Sequence, residues 1–151
     1  MKTFIVLSCV LVTAYGVSDA FLKDLKIKMA DVGATCVTEV GANEADISEI
    51  MARKMPSRKE GRCLISCFLK KFHLQGADGK PDREGTMALL EPLHDDDAEM
   101  YTKLIQIAIK CGPEVSNTDL TDHCDIALEI VACSMREGKL IGVADPFALQ
   151  G

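Results

Sequence analysis

The sequence predicts an all-α protein of five or six helices. Three observations carry that reading. Apolar residues recur every three or four positions through most of the chain, the spacing that lines one side of a helix. No stretch shows the alternation of a half-buried strand, and no internal repeat or low-complexity segment interrupts the pattern. Glycines, prolines and short polar clusters divide the chain into pieces of helical length.

Phe21 to Val40 has helical spacing in Leu22, Leu25, Met29, Val32 and Cys36, with Gly33 expected to weaken or bend it. Gly41 stops it. Asn43 is an N-cap for Glu44 to Arg53, whose apolar side is Ile47, Ile50 and Met51, and Pro56 breaks the chain. Ser57 to Glu60 has the form of a capping box opening the next helix, which Gly76 ends. That helix carries two apolar lines, Leu64-Phe68-Phe72 and Ile65-Leu69, so more than one side is expected to be buried. Asp78-Gly79 reads as a turn. Pro81 suits the first position of a short helix with Met87, Leu89 and Leu90, closed by Pro92. Asp95-Asp96-Asp97 heads the following helix, where carboxylates meet the positive end of the dipole. Its residues Met100, Leu104, Ile107 and Cys111 form one apolar face and Tyr101, Ile105 and Ile109 another, and Gly112-Pro113 terminates it. Ser116 to Asp119 is a second capping box, opening a helix faced by Leu120, Cys124, Ala127, Leu128, Val131 and Met135 that Gly138 ends. An apolar tail, 139–151, follows.

Composition bounds the function. The chain has 151 residues, enough for one domain, and a net charge of −6. That charge disfavours nucleic acid or an anionic membrane as the main partner. Met1-Lys2, the apolar run Phe4 to Val17 and Ser18-Asp19-Ala20 have the order of a secretory signal peptide, residues 1–20, with Ala14-Tyr15-Gly16 as an alternative cleavage site. The run is too short to span a bilayer. The expected product, 21–151, is secreted, extracellular and soluble. Cys9 leaves with the signal, and six of the seven cysteines remain, an even set in an oxidising compartment.

Cys63 and Cys67 stand one helical turn apart on the same side of one helix, badly placed to bond each other and well placed to bond two neighbouring segments. Cys124 and Cys133, nine apart, lie on opposite sides of theirs and are expected to take different partners. Spacing alone allows fifteen connectivities.

The pattern Cys36-x26-Cys63-x3-Cys67-x43-Cys111-x12-Cys124-x8-Cys133 resembles the six-cysteine signature of the insect odorant-binding proteins, the pheromone- and general-odorant-binding family. The likeness covers the whole mature chain. It implies the pairs Cys36–Cys67, Cys63–Cys124 and Cys111–Cys133, in a compact bundle of about six helices around an internal hydrophobic cavity. It implies a soluble carrier that reversibly binds an odorant or pheromone and takes it through sensory lymph to membrane receptors, without catalysis or a cofactor. Helices apolar on several faces and a Met-rich mature chain agree with a cavity, although a filled core would have the same composition.

From helical phase, the expected cavity residues are Leu64, Phe68, Met87, Leu90, Ile105, Ile109, Leu128, Val131 and Met135, with Phe147 and Leu149 from a tail acting as a lid. Thr86, Tyr101 and Ser134 are the candidate polar selectors. His94 or His123 is a candidate pH switch for release, since family members often release ligand at lowered pH. His94 beside three aspartates has donor types for a metal, but a solvated helix start accounts for it, and no metal is expected. Asp78 to Leu89 fails as a calcium loop, because Lys80 and Arg83 stand where a ligand and a glycine are required. Asp122-His123-Cys124-Asp125 only faintly suggests a lipase dyad. The rival functions are the same fold carrying a hormone, lipid, dietary or host molecule, and a small secreted lipolytic enzyme. The expected state is a monomer or weak homodimer, with olfactory receptors at most an indirect partner.

Overall fold

The structure, a computed structural model, describes residues 17–143. Among the described residues there are six α-helices and no strand: α1 Asp19–Val40, α2 Glu44–Met51, α3 Lys59–Lys71, α4 Arg83–Asp96, α5 Ala98–Ser116 and α6 His123–Leu140. The helices pack in a row, α1 on α3, α3 on α6, α6 on α5 and α5 on α4, with α2 also on α3. Expected positions 147 and 149, and most of the expected lid, lie outside the described residues.

Disulfides close three of these contacts. Cys36–Cys67 ties α1 to α3, Cys63–Cys124 ties α3 to α6 and Cys111–Cys133 ties α5 to α6. These are the pairs that the family resemblance implies. The two cysteines on one side of α3 reach different helices, as do the two on opposite sides of α6. The α4–α5 contact has no covalent tie, because α4 contains no cysteine. The best-buried apolar cluster is Ile107, Cys111, Val115, Ile126 and Cys133, flanked by Leu104, Ile130, Ile141 and Val143. It sits on the α5–α6 seam, with one disulfide at its centre.

Several helix ends follow the local chemistry. Ser18 caps α1 by accepting from the Phe21 amide, so the helix begins two residues before Phe21 and runs unbroken through Gly33. Gly41 closes it in the left-handed conformation, φ 70°, which a glycine adopts without a Cβ penalty. Asn43 forms a true capping box with Asp46: each side chain takes the other's backbone amide, at 3.1 and 2.9 Å. Gly79, φ 84°, makes the expected turn after Asp78.

Other ends differ from expectation, each for a visible reason. Ser57 does not cap α3. Its amide and hydroxyl both donate to the Glu49 carboxylate at 2.8 Å, while Glu60 pairs with Arg58 at 3.2 Å. Helix α3 ends at Lys71 with Phe72 as its C-cap, short of Gly76, which instead joins Lys80 across a small hairpin bridged at Gln75 and Pro81. Pro81 therefore precedes α4, which Asp82 caps. Pro92 and Gly112-Pro113 lie inside helices and do not end them. Both prolines are exposed, as are Ala88 and Ile109 four residues earlier, so the unpaired carbonyls face water. Asp95 and Asp96 close α4, and Asp97 alone heads α5 by accepting from the Met100 amide. Ser116 ends α5, Asp122 caps α6, and Leu120 stands outside any helix. Gly138 is buried within α6, which continues to Leu140.

Candidate functional site

The row of helices closes around a cavity of about 1330 Å³. Its wall takes Ile65 and Leu69 from α3, Met87, Leu89 and Leu90 from α4, Leu104, Ile107 and Ile109 from α5, and Ile130, Val131 and Met135 from α6. Ile50 from α2 and Met55 from the next loop complete one edge. The wall is aliphatic and methionine-rich and holds no aromatic ring among the described residues. Ile109, Met135 and Met55 are more than half exposed, which marks an open mouth. An exposed apolar concavity on this scale has the size and lining that suit an apolar molecule.

Of the expected residues, the structure brings together Met87, Leu90, Ile109, Val131 and Met135 around this cavity. It places Leu64, Phe68, Tyr101, Ile105 and Leu128 elsewhere. The reason for α3 is its phase. Positions 65 and 69 lie about 100° around the helix from 64 and 68, so only one of its two apolar lines can face the cavity. Leu64 and Phe72 are buried on the other line, and Phe68 packs its ring on Phe72 at 4.7 Å. The ammonium of Lys28 from α1 stands over Phe72 at 5.0 Å, so this line serves the α1 contact. On α5 the residues from 101 and 105 turn away from the wall formed by 104, 107 and 108, and Tyr101 meets the His94 ring edge-on at 5.0 Å.

Of the polar selectors expected, Thr86 and Ser134 line the wall, beside Ser116; Tyr101 does not. The Thr86 hydroxyl donates to the Asp82 carbonyl at 2.6 Å, leaving Ser134 the less committed of the two. Neither His94 nor His123 borders the cavity. His94 is exposed and pairs with Asp95 at 3.0 Å. Ile65, Leu69, Leu104, Ile107 and Ile50 were readable as apolar face residues, but their facing was not. The cavity's other charged residues, Arg53, Lys54, Asp82, Arg83 and Lys139, gave no signal in the sequence, because each is an ordinary surface charge until the fold gathers them.

Behind α3 lies a polar centre with no apolar periodicity to announce it. Gln75, 2 % exposed, accepts from Ser66 Oγ at 2.7 Å and donates to the carbonyls of Gly79 at 2.6 Å and His123 at 2.8 Å. Lys70 Nζ lies 2.8 Å from His123 Nδ1, in a smaller recess of about 450 Å³ shared with Glu39, Lys71 and two disulfides. Cys36, Cys67 and Glu39 cluster there with the donor types of a metal site. Both sulfurs are already bonded to each other, so the cluster has no thiolate to offer. Across the α5–α6 seam, the Lys110 ammonium and the Arg136 guanidinium hold the buried Glu137 carboxyl below its ordinary range. The Cys124 amide, then Lys59, does the same for Asp122.

Residues 18–137 match the model of the PBP/GOBP family. General odorant-binding protein 19d of Drosophila melanogaster is 30 % identical over 114 residues, which are 76 % of this chain and 74 % of that one. The structure of odorant-binding protein dmelOBP28a, also from Drosophila melanogaster, superposes with a TM-score of 0.66 at 27 % identity, covering 81 % of this chain and 98 % of that chain. A pheromone binding protein from the cockroach Leucophaea maderae shares the fold, with a TM-score of 0.60 at 23 % identity over 80 % of this chain and 98 % of that chain.

Proposed function

Because the chain belongs to the PBP/GOBP family, whose members are carriers of small hydrophobic molecules, we propose that it carries a small odorant or pheromone through aqueous sensory lymph. The observation that carries this reading is the aliphatic cavity of about 1330 Å³ with an exposed apolar mouth. The 30 % identity to a general odorant-binding protein supports the olfactory assignment. Residues 1–20 act as a secretory signal in this reading, and the product is extracellular.

Affinity comes from removing apolar ligand surface from water, about 25 cal/mol per Å² buried. Met87, Leu90, Ile109, Val131 and Met135 supply that surface, with Ser134 as the hydroxyl for a polar head. The methionines adapt their shape to more than one ligand outline. Binding needs no covalent step, so the ligand leaves as it came. Reaching a membrane receptor requires only release.

The test is titration of the secreted protein with N-phenyl-1-naphthylamine, a probe that fluoresces in apolar surroundings. Saturable 1:1 binding, reduced about tenfold by the cavity-filling Val131→Trp variant, is the expected result. Absence of saturable binding, or equal binding by that variant, defeats the reading. Repeating the titration at pH 7 and pH 5 tests pH-driven release; neither candidate histidine borders the cavity to drive it directly.

A further inference from the structure

Two places in the sequence suit removal of a secretory signal, and the fold distinguishes them. Ala14-Tyr15-Gly16 and Ser18-Asp19-Ala20 each put small residues at the first and third positions before the bond to be cut. The first lies at the end of the apolar run and the second directly after it. Residue size and spacing therefore choose neither.

Between the two cuts lie Val17 to Ala20, and they have work in the folded domain. Asp19 and Ala20 open α1, and Ser18 is its cap. The Ser18 carbonyl accepts from the Leu22 amide at 3.0 Å and its hydroxyl from the Phe21 amide at 3.3 Å, which satisfies amides that a helix start otherwise leaves without partners. Asp19 sets a carboxylate in the first turn, at the positive end of the dipole. The Ser18 amide also donates to Asp96 Oδ2 at 2.7 Å, and Ser18, through its hydroxyl and then its amide, holds the Asp96 carboxyl below its ordinary range. Asp96 ends α4, at the opposite end of the row of helices from α1. Among the described residues α1 packs on α3 and not on α4, so this contact, across 78 positions, joins the two ends of the row. The other half of α1 is held separately, by Cys36–Cys67, by Lys71 on Glu39 at 2.9 Å and by Lys28 over Phe72. The match to the PBP/GOBP family also begins at residue 18.

We propose that the signal is removed after Gly16, so that the secreted chain begins at Val17 and keeps Ser18 as both the cap of α1 and its clasp to α4. The protease that removes secretory signals adds water across the Gly16–Val17 peptide bond, leaving the Gly16 carboxylate on the signal and an amine on Val17, protonated in neutral solution. That ammonium stands one residue before the Asp96 contact and is opposite to it in sign. A cut after Ala20 instead strips the cap, the Asp19 carboxylate and the Asp96 tie. It also sets the Phe21 ammonium in the first turn of α1, where the dipole disfavours a cation. The proposal rests on the secretory reading and moves the end of the signal from residue 20 to residue 16.

The experiment expresses the full chain in cultured insect cells and reads the intact mass and N-terminal sequence of the secreted protein. Val17 at the N-terminus is the expected result, and Phe21 there overturns the boundary while leaving the secretory reading standing. Gly16→Gln, which sets a bulky side chain before the bond, should abolish the Val17 product, whereas Ala20→Gln, on an exposed position of α1, should leave it unchanged. The reverse pattern overturns the proposal. Absence of any secreted, processed protein from the parent chain brings down the secretory reading as well. For the clasp, chains released behind a foreign signal to begin at Val17 or at Phe21 are compared in chemical denaturation. The chain that begins at Val17 is expected to have an unfolding equilibrium constant about fivefold smaller, the effect of one helix cap, with its Ser18→Ala variant between the two. Equal stability of the two chains overturns the role given to Ser18.

Discussion

Helix α6 has two sides, and they are held differently. Toward α3 it is fixed by Cys63–Cys124, by the Gln75 side chain on the His123 carbonyl and by pairing of Lys59 and Arg62 with Asp122 and Asp125. Toward the cavity it presents Ile130, Val131, Ser134 and Met135 to space that α4 borders from across the site. The α4–α5 contact, which completes that side, has packing and no disulfide. The α3 side is cross-linked and hydrogen-bonded; the cavity side, tied to α5 by Cys111–Cys133 but to α4 by no disulfide, leaves apolar surface unmatched. A carrier needs both, because unmatched surface is what a ligand can cover, and the cross-links offset the packing it forgoes.

The comparison can be broken first at its covalent part. Cys63→Ala with Cys124→Ala removes a link between residues 61 apart. Chain entropy predicts a loss of about 4 kcal/mol in chemical denaturation, the largest effect expected of any change considered. A loss under about 1 kcal/mol would mean that packing alone holds the α3–α6 side.

The next test sets two leucines of α4 against each other. Leu93 is 3 % exposed and off the cavity wall, whereas Leu90 lines it. Leu93→Ala should cost about 3 kcal/mol and Leu90→Ala about 1, since truncating Leu90 only enlarges space that is already open. Ligand affinity should respond in the opposite order. Similar stability losses would mean that the cavity wall is packed as tightly as the core.

Gln75→Leu follows, at about 2 kcal/mol, because it strands the Gly79 and His123 carbonyls and the Ser66 hydroxyl without replacing their partner. Its ligand affinity should stay within twofold of the parent's, since Gln75 does not border the cavity.

The smallest effect is acid dependence. Lys110 and Arg136 lower the Glu137 carboxyl in the folded state, and the Cys124 amide lowers that of Asp122. A lowered folded value stabilises above the unfolded value and is lost as the pH falls through the folded one. The unfolding midpoint should therefore be level from pH 7 to about 5 and decline below that, with a shallower decline in Glu137→Gln. An unchanged midpoint below pH 4, or an equal decline in Glu137→Gln, would overturn it.

Much of this molecule was legible in its residues. The Asn43 cap, the stop at Gly41 and the turn at Asp78-Gly79 rest on contacts within a few residues, so local chemistry specifies them. The boundaries that moved did so because something distant or external intervened: Glu49 took Ser57, and water on an exposed face let α4 and α5 run through their prolines. The cavity was half legible. Apolar faces on α3 and α5 are periodic in the sequence, but each has two, and nothing local says which one meets a neighbour and which is left uncovered.

Helix identity, the stop at Gly41 and the placing of Cys63 and Cys67 for separate partners follow from backbone and spacing, which act over one or two turns. Which line of α3 faces inward and how Gln75 comes to join three segments depend on how the helices pack. Those residues lie far apart in the chain, and their energies exist only once the row of helices has closed.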